Sequence, residues 1–356
     1  LPAKAKYPLY AFVPELLVAQ GDINAFCKRM RAAGVWGVRF FLLQSWSTIR
    51  LVPWKQAVYQ GQNVVLYSKK DGVNNCPVTD MDAANPDYWT RLADVLAILK
   101  ANGLEAVVSL GDNCSMNTRN QKLSYPFLAS LQTMSPDPKE TLSYVVPPAA
   151  KAICKPGSPG GLYGPAKYDL YRRWVGQTVS ALQSSGCSFR LEIQNEFSRL
   201  LPQPPNAPEN WYVMMVNAVK KAGVPSERII HSGDPSIILN YGGIFSMHGI
   251  AQAGLHDTTC PPARMMISSD GAYAGKFKGR NPDDYDSAGH HGPSVEDAIA
   301  EAKMVRSKGI MGGIEMMIMN AWRMNDCLAN VDNIIPDVYQ AITDEWAEQR
   351  ALAGRS

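Results

Sequence analysis

Two rhythms of apolar residues run along the chain. One consists of short, near-continuous apolar runs. The other consists of longer stretches with apolar residues three or four apart, the spacing of one helix face. The run FRLEIQNEF at 189–197 reads as a buried strand ending in the pair Asn195 and Glu196. Before it, residues 168–183 place Tyr168, Tyr171, Val175, Val179 and Leu182 on one face, and Gly186 is a natural C-cap. Further apolar runs at 7–17, 35–46, 104–114, 228–234, 244–250, 264–271 and 312–322 bring the predicted strands to eight. Helical spacing recurs at 22–34 (Asp22 as N-cap), 87–103, 209–223, 294–309 and 337–354. Residues 47–86, 115–167 and 251–263 read as long loops. Strands buried on both faces, most of them followed by a helix, predict an α/β fold. The simplest form is a single (β/α)8 TIM barrel over residues 1–356 with long loops at the C-terminal face. A doubly wound open sheet is the alternative, but no G-x-G-x-x-G or G-x-x-x-x-G-K follows the first run.

Composition narrows the partners. The 356 residues are 46% hydrophobic and 19% charged, enough apolar matter for a large core. A net charge of +3 without a basic stripe argues against nucleic acid. No apolar run reaches the roughly 18 residues a membrane-spanning helix needs. The chain opens on Leu1, which reads as a processed or trimmed start. Seven cysteines occur without a C-x-x-C or Cys/His spacing for zinc, and His290-His291 reads as a solvated loop. Most of those cysteines fall in stretches that read as loops, so a secreted protein with one or two disulfides is expected, Cys76 and Cys114 being one pair that could meet; a monomer is the expected state. No metal or organic cofactor is implied.

The strand ends carry the candidate chemistry. In chain order they bear Arg39 and Trp46, Asp112 and Asn113, Asn195 and Glu196, His231 and Asp234, His248, Asp270, and Asn320 with Trp322. So many polar groups on one rim exceed what folding needs, since buried polar groups cost free energy unless paired. Glu196 and Asp270 are the sharpest pair. Glycosidic-bond hydrolysis takes two carboxylates, one to protonate the leaving oxygen and one to attack the anomeric carbon or activate water. Trp322 suits stacking on a sugar ring, and Asn195 suits a sugar hydroxyl. Glu192 reads as a structural partner inside the barrel, with Arg39 the candidate counter-ion; Arg39 equally suits holding the second carboxylate ionised. Trp46 and Trp54 read as loop packing or as sugar subsites, and the methionines at 316, 317 and 319 as core filler.

In this set the chain resembles clan A of the glycoside hydrolases, the barrel enzymes that include cellulase-like and mannanase-like families. Arg39, Asn195 with Glu196, His248 and Trp322 match that clan's cleft positions in order and in strand, and LEIQNE resembles its strand-four pattern, with Phe197 where proline is common. The resemblance implies Glu196 as general acid/base and Asn195 on the hydroxyl next to the scissile bond. It departs at strand seven, where the clan has Glu and this chain has Asp270. Asp withdraws the carboxylate by about 1.5 Å. Retention needs carboxyls about 5–5.5 Å apart and inversion about 6.5–9.5 Å, so Asp270 serves as nucleophile or, in a wider cleft, as base. Glu315 ranks lower as second carboxylate because it lies early in its strand, near the barrel floor. The expected function is a retaining glycosidase acting on a β-linked poly- or oligosaccharide, with Arg39, Asn195, His248, Trp322, Asn320, Asp112, Asn113 and Trp46 binding substrate. The rivals are a carbohydrate-binding barrel without catalysis and a barrel lyase or isomerase using His248 and Asp270.

Overall fold

The computed structural model describes residues 9–43, 51–68, 73–112, 126–127, 129–133, 144–147, 149–150, 163–195, 210–232, 241–248, 265–268, 314–317, 331–333, 339–341 and 343–344. Eight parallel strands close a barrel. They are β1 (Leu9–Phe12), β2 (Gly37–Phe41), β3 (Glu105–Ser109), β4 (Phe189–Glu192), β5 (Ile229–Ser232), β6 (Ile244–His248), β7 (Met265–Ser268) and β8 (Ile314–Met317). Each pairs with the next in sequence, and β8 closes on β1 with Leu9 opposite Ile314. The short link after β5 therefore joins neighbouring strands.

Four described helices follow the first four strands: α1 (Ile23–Ala32), α2 (Pro86–Ala101), α3 (Tyr168–Ser185) and α4 (Trp211–Lys221). Three of the four starts are fixed by side-chain caps, since Asp22, Asn85 and Asn210 accept from the backbone N–H of Ala25, Asp87 and Val213. Gly186 ends α3 in the left-handed region at φ 62°, a conformation glycine adopts without a Cβ penalty. The predicted face of α3 is buried at all five positions. The main core lies between strands and helices, where Leu9, Ala11, Val38, Phe40, Ala106, Val108, Leu191 and Ile229 meet the helical residues. A smaller cluster of Tyr10, Val107, Ile230 and Met266 fills the barrel interior.

Residues 47–86 are not simply loop. Their described part holds the short strands Trp54–Gln56, Val58–Tyr59, Gln62–Asn63, Val65–Ser68, Val73–Pro77 and Thr79–Ala84. Antiparallel pairing gives a three-stranded sheet completed by Tyr144–Val146 from the segment after β3. Gln60 and Gly61, with φ 49° and 76°, form the two-residue turn between Val58–Tyr59 and Gln62–Asn63. Ala57, Val64, Leu66, Cys76, Val78, Ala129 and Ala150 give this insert its own small core. The predicted helix 294–309 lies outside the described residues.

Candidate active site

Arg39 is central to β2 and fully buried inside the barrel. Strand alternation puts Arg39, Glu192 and Ser232 on the inward face, and one Arg39 nitrogen, Nη2, reaches across β3 to β4. It donates to Glu192 Oε2 at 2.5 Å and to Asn195 Oδ1 at 2.7 Å. The Ser232 hydroxyl donates to the other Glu192 oxygen at 2.7 Å. The guanidinium carbon stands 4.5 Å from the Phe12 ring centroid and 5.4 Å from that of Phe41, so two aromatic faces shield the charge. Glu192 is thus the buried partner its sequence position suggested.

Just past the C-terminal ends of β3 and β4, the backbone continues the pairing with a parallel bridge between Asp112 and Asn195. The Asn195 N–H donates to the Gly111 carbonyl at 2.9 Å, and the Ser109 hydroxyl donates to the same oxygen at 2.8 Å. Asn195 Nδ2 donates to Asp112 Oδ1 at 2.8 Å. Both side chains are buried. A continuous chain of polar contacts, Ser232 to Glu192 to Arg39 to Asn195 to Asp112, therefore spans β2 to β5 and includes Asn195, the residue before Glu196.

A second polar group lies lower in the barrel. Tyr10 donates its hydroxyl to Glu105 at 2.9 Å, Arg190 pairs with Glu105 at 3.1 Å, and Ser188 also donates to it. Glu315 is in register with Tyr10, at this level and below that of Arg39, which pairs with Phe12. Its backbone position agrees with the floor placement. His231 is corrected from rim to outer wall. It faces away from the barrel axis and meets the Tyr212 hydroxyl of α4 at 2.7 Å through Nδ1. Burial pulls its imidazole down to about 4, and burial together with the Glu192 charge pushes the Tyr212 phenol well above its usual value. Every position of β5 is buried, so its sequence pattern did not tell inward from outward residues.

Trp54 packs edge-on against Phe127, 5.6 Å between centroids, and at 5.4 Å against Trp174 of α3, which is the loop-packing reading. Cys27 and Cys187 are buried free thiols, and no disulfide forms among the described residues. Cys76 sits in the small insert core, and its suggested partner Cys114 lies outside the described residues. Glu196, Asp270, Asn113, Trp46, Asn320 and Trp322 also lie outside them. His248 ends β6 in register with Ser268, the last residue of β7, and Asp270 follows that residue next but one. Among the described residues no group of three or more His, Cys, Asp or Glu converges as a metal site, and no helix is long and apolar enough to cross a membrane.

Solved structures similar in fold to this chain include glycoside hydrolases, among them members of family 5, a clan A family. One, a provisionally assigned glycoside hydrolase from Bacteroides vulgatus, matches at a TM-score of 0.55 and 12% identity over 94% of this chain. This chain spans 56% of that protein's length. Another, a family 5 subfamily 18 protein from Bifidobacterium longum subsp. longum, matches at 0.50 and 11% identity, covering 97% of this chain and 80% of that one. At these identities the likeness is one of fold, an α/β barrel. No family model and no curated protein matches the chain.

Proposed function

We propose that the protein is a glycoside hydrolase on one (β/α)8 domain, with a helix after most strands and long loops over the C-terminal face. It acts as a secreted monomer on a β-linked poly- or oligosaccharide. The observation that carries this reading is the buried chain of contacts that holds Asn195. A fully buried Arg39–Glu192 pair and the Asp112 carboxylate grip one carboxamide at the mouth of the barrel, immediately before Glu196. Burying two charges is expensive, and well-packed apolar residues of similar volume in their place would be no less stable. Rigid placement of a functional side chain accounts for that expense.

In the first step the glycosidic C–O bond breaks, and the leaving oxygen takes the proton of Glu196. An Asp270 carboxylate oxygen bonds to the anomeric carbon. In the second step a water, losing its proton to Glu196, displaces Asp270 and restores both groups. In a wider cleft Asp270 instead takes a proton from the attacking water, and the product inverts. Asn195 donates to the hydroxyl next to the scissile bond, and Arg39, His248, Trp322, Asn320, Asn113 and Trp46 complete the cleft. The test is incubation with β-linked glucan, mannan and xylan oligosaccharides, with proton NMR of the first-formed anomer. Release of new reducing ends in the β configuration is expected. An unsaturated product absorbing in the ultraviolet would move the protein to the lyases, and binding without any release would make it a carbohydrate-binding barrel.

A further inference from the structure

The geometry points to Asp112 as a positioning residue that, with Arg39, fixes Asn195 as a hydrogen-bond donor toward the sugar. This rests on the glycosidase reading above and assigns Asp112 a different task from direct contact with substrate.

A carboxamide has two ends of nearly equal shape, and only its partners decide which end points where. Here both ends are determined. A guanidinium can only donate, so the group facing Arg39 Nη2 at 2.7 Å must be the oxygen of Asn195. Nδ2 then faces Asp112 Oδ1 at 2.8 Å, and a carboxylate accepts from it. The arrangement is self-consistent, because swapping the amide would set an oxygen against an oxygen and an N–H against an N–H. Arg39 is itself held by Glu192, so the oxygen end cannot drift. Nδ2 carries two hydrogens, and one is committed to Asp112. The second has no partner among the described residues, on a residue that retains 4% exposure. It is the N–H left for a substrate oxygen. Asp112 therefore acts through Asn195: it selects the donor orientation and, by accepting from the same nitrogen, keeps that second N–H aimed. A hydrogen bond to the 2-hydroxyl strengthens in an oxocarbenium-like transition state, so a fixed donor there acts on turnover more than on substrate binding.

The experiment compares Asp112→Leu and Asp112→Asn with the parent protein on two probes. These are the 4-nitrophenyl β-glycoside that the parent hydrolyses best and its 2-deoxy counterpart. Each variant's kcat/KM is divided by the parent's on the same probe, so any loss of folded protein cancels between the probes. For Asp112→Leu the expected loss is about 10- to 100-fold on the hydroxylated probe, mainly in kcat. On the 2-deoxy probe little of that loss should remain. Asp112→Asn keeps an oxygen that can accept from Asn195 and should recover most of the activity. Equal losses on both probes, or none on either, would overturn the assignment. Glu196→Gln is measured alongside. An inactive parent protein, or a fully active Glu196→Gln, removes the glycosidase reading and this inference with it. A parent that is active, an inactive Glu196→Gln and equal Asp112 losses remove only the inference.

Discussion

Arg39 and Glu192 show how a barrel tolerates charge: each is fully buried, and each meets the other. Removing one partner of such a pair strands the other charge, which costs about 3–5 kcal/mol. Glu192→Gln should therefore lower the unfolding free energy by that amount, read as a lower urea midpoint at unchanged m-value, since the exposed surface on unfolding is the same. A variant as stable as the parent would mean that Arg39 finds another anion. His231 supplies a pH-dependent counterpart. Its folded-state value of about 4 lies below the ordinary 6.5, so the unfolded chain binds the proton more tightly. Stability contributed by the neutral imidazole is full above pH 6.5 and falls as pH drops toward 4, by about 3 kcal/mol in all. His231→Gln, which keeps a partner for Tyr212, should flatten the stability curve between those pH values. At this scale the pairing of Glu192 with Arg39 was legible, because a lone charge in an apolar run requires an opposite one. The roles of Ser232 and Asp112 were not, since cross-strand contacts depend on register, which the local sequence does not encode.

Helices were legible almost to the residue where their caps are chemical. Asp22 opens α1 and Gly186 closes α3 as their sequence positions suggest. The insert after β2 was missed because its strands are short, partly polar and paired with one another and with Tyr144–Val146 rather than with the barrel. A local signal was the Gln60-Gly61 pair, a turn that follows the β-prone Val58–Tyr59. Lys167 departs from the rules at the start of α3. It sits buried at the N-cap, its amine finds no hydrogen-bond partner among the described residues, and burial lowers the amine to about 8. A cation at a helix N-terminus also opposes the helix dipole. Lys167→Met should raise stability at pH 7 by about 1–2 kcal/mol in urea titration; a loss would reveal a favourable interaction for the amine. Gly37 in β2 is constrained by space: a Cβ there would stand 2.4 Å from the Glu105 carbonyl and 3.0 Å from the Tyr10 ring. Gly37→Ala should destabilise the barrel by about 1–3 kcal/mol, measured as a lower Tm.

Across the whole molecule, the order of eight apolar runs was enough to predict the barrel, because parallel strands buried on both faces leave few other arrangements. Trp54 ties the insert to the barrel by packing on Trp174, beside Tyr88 and Trp89 of α2. Insert and barrel should then unfold together, with tryptophan fluorescence and far-ultraviolet circular dichroism tracing one transition in urea. Separate transitions would make the insert an independent unit.

The most direct measurement is the steady-state turnover of Glu196→Gln against the parent protein, on an unactivated β-linked oligosaccharide and on an aryl glycoside with a good leaving group. An acid that protonates the leaving oxygen matters most where that oxygen is a poor leaving group. The variant should keep the parent's fold by circular dichroism, lose most turnover on the oligosaccharide, and lose far less in the bond-breaking step of the aryl glycoside. Undiminished turnover on the oligosaccharide would contradict the assignment of Glu196, and with it the site built around Asn195.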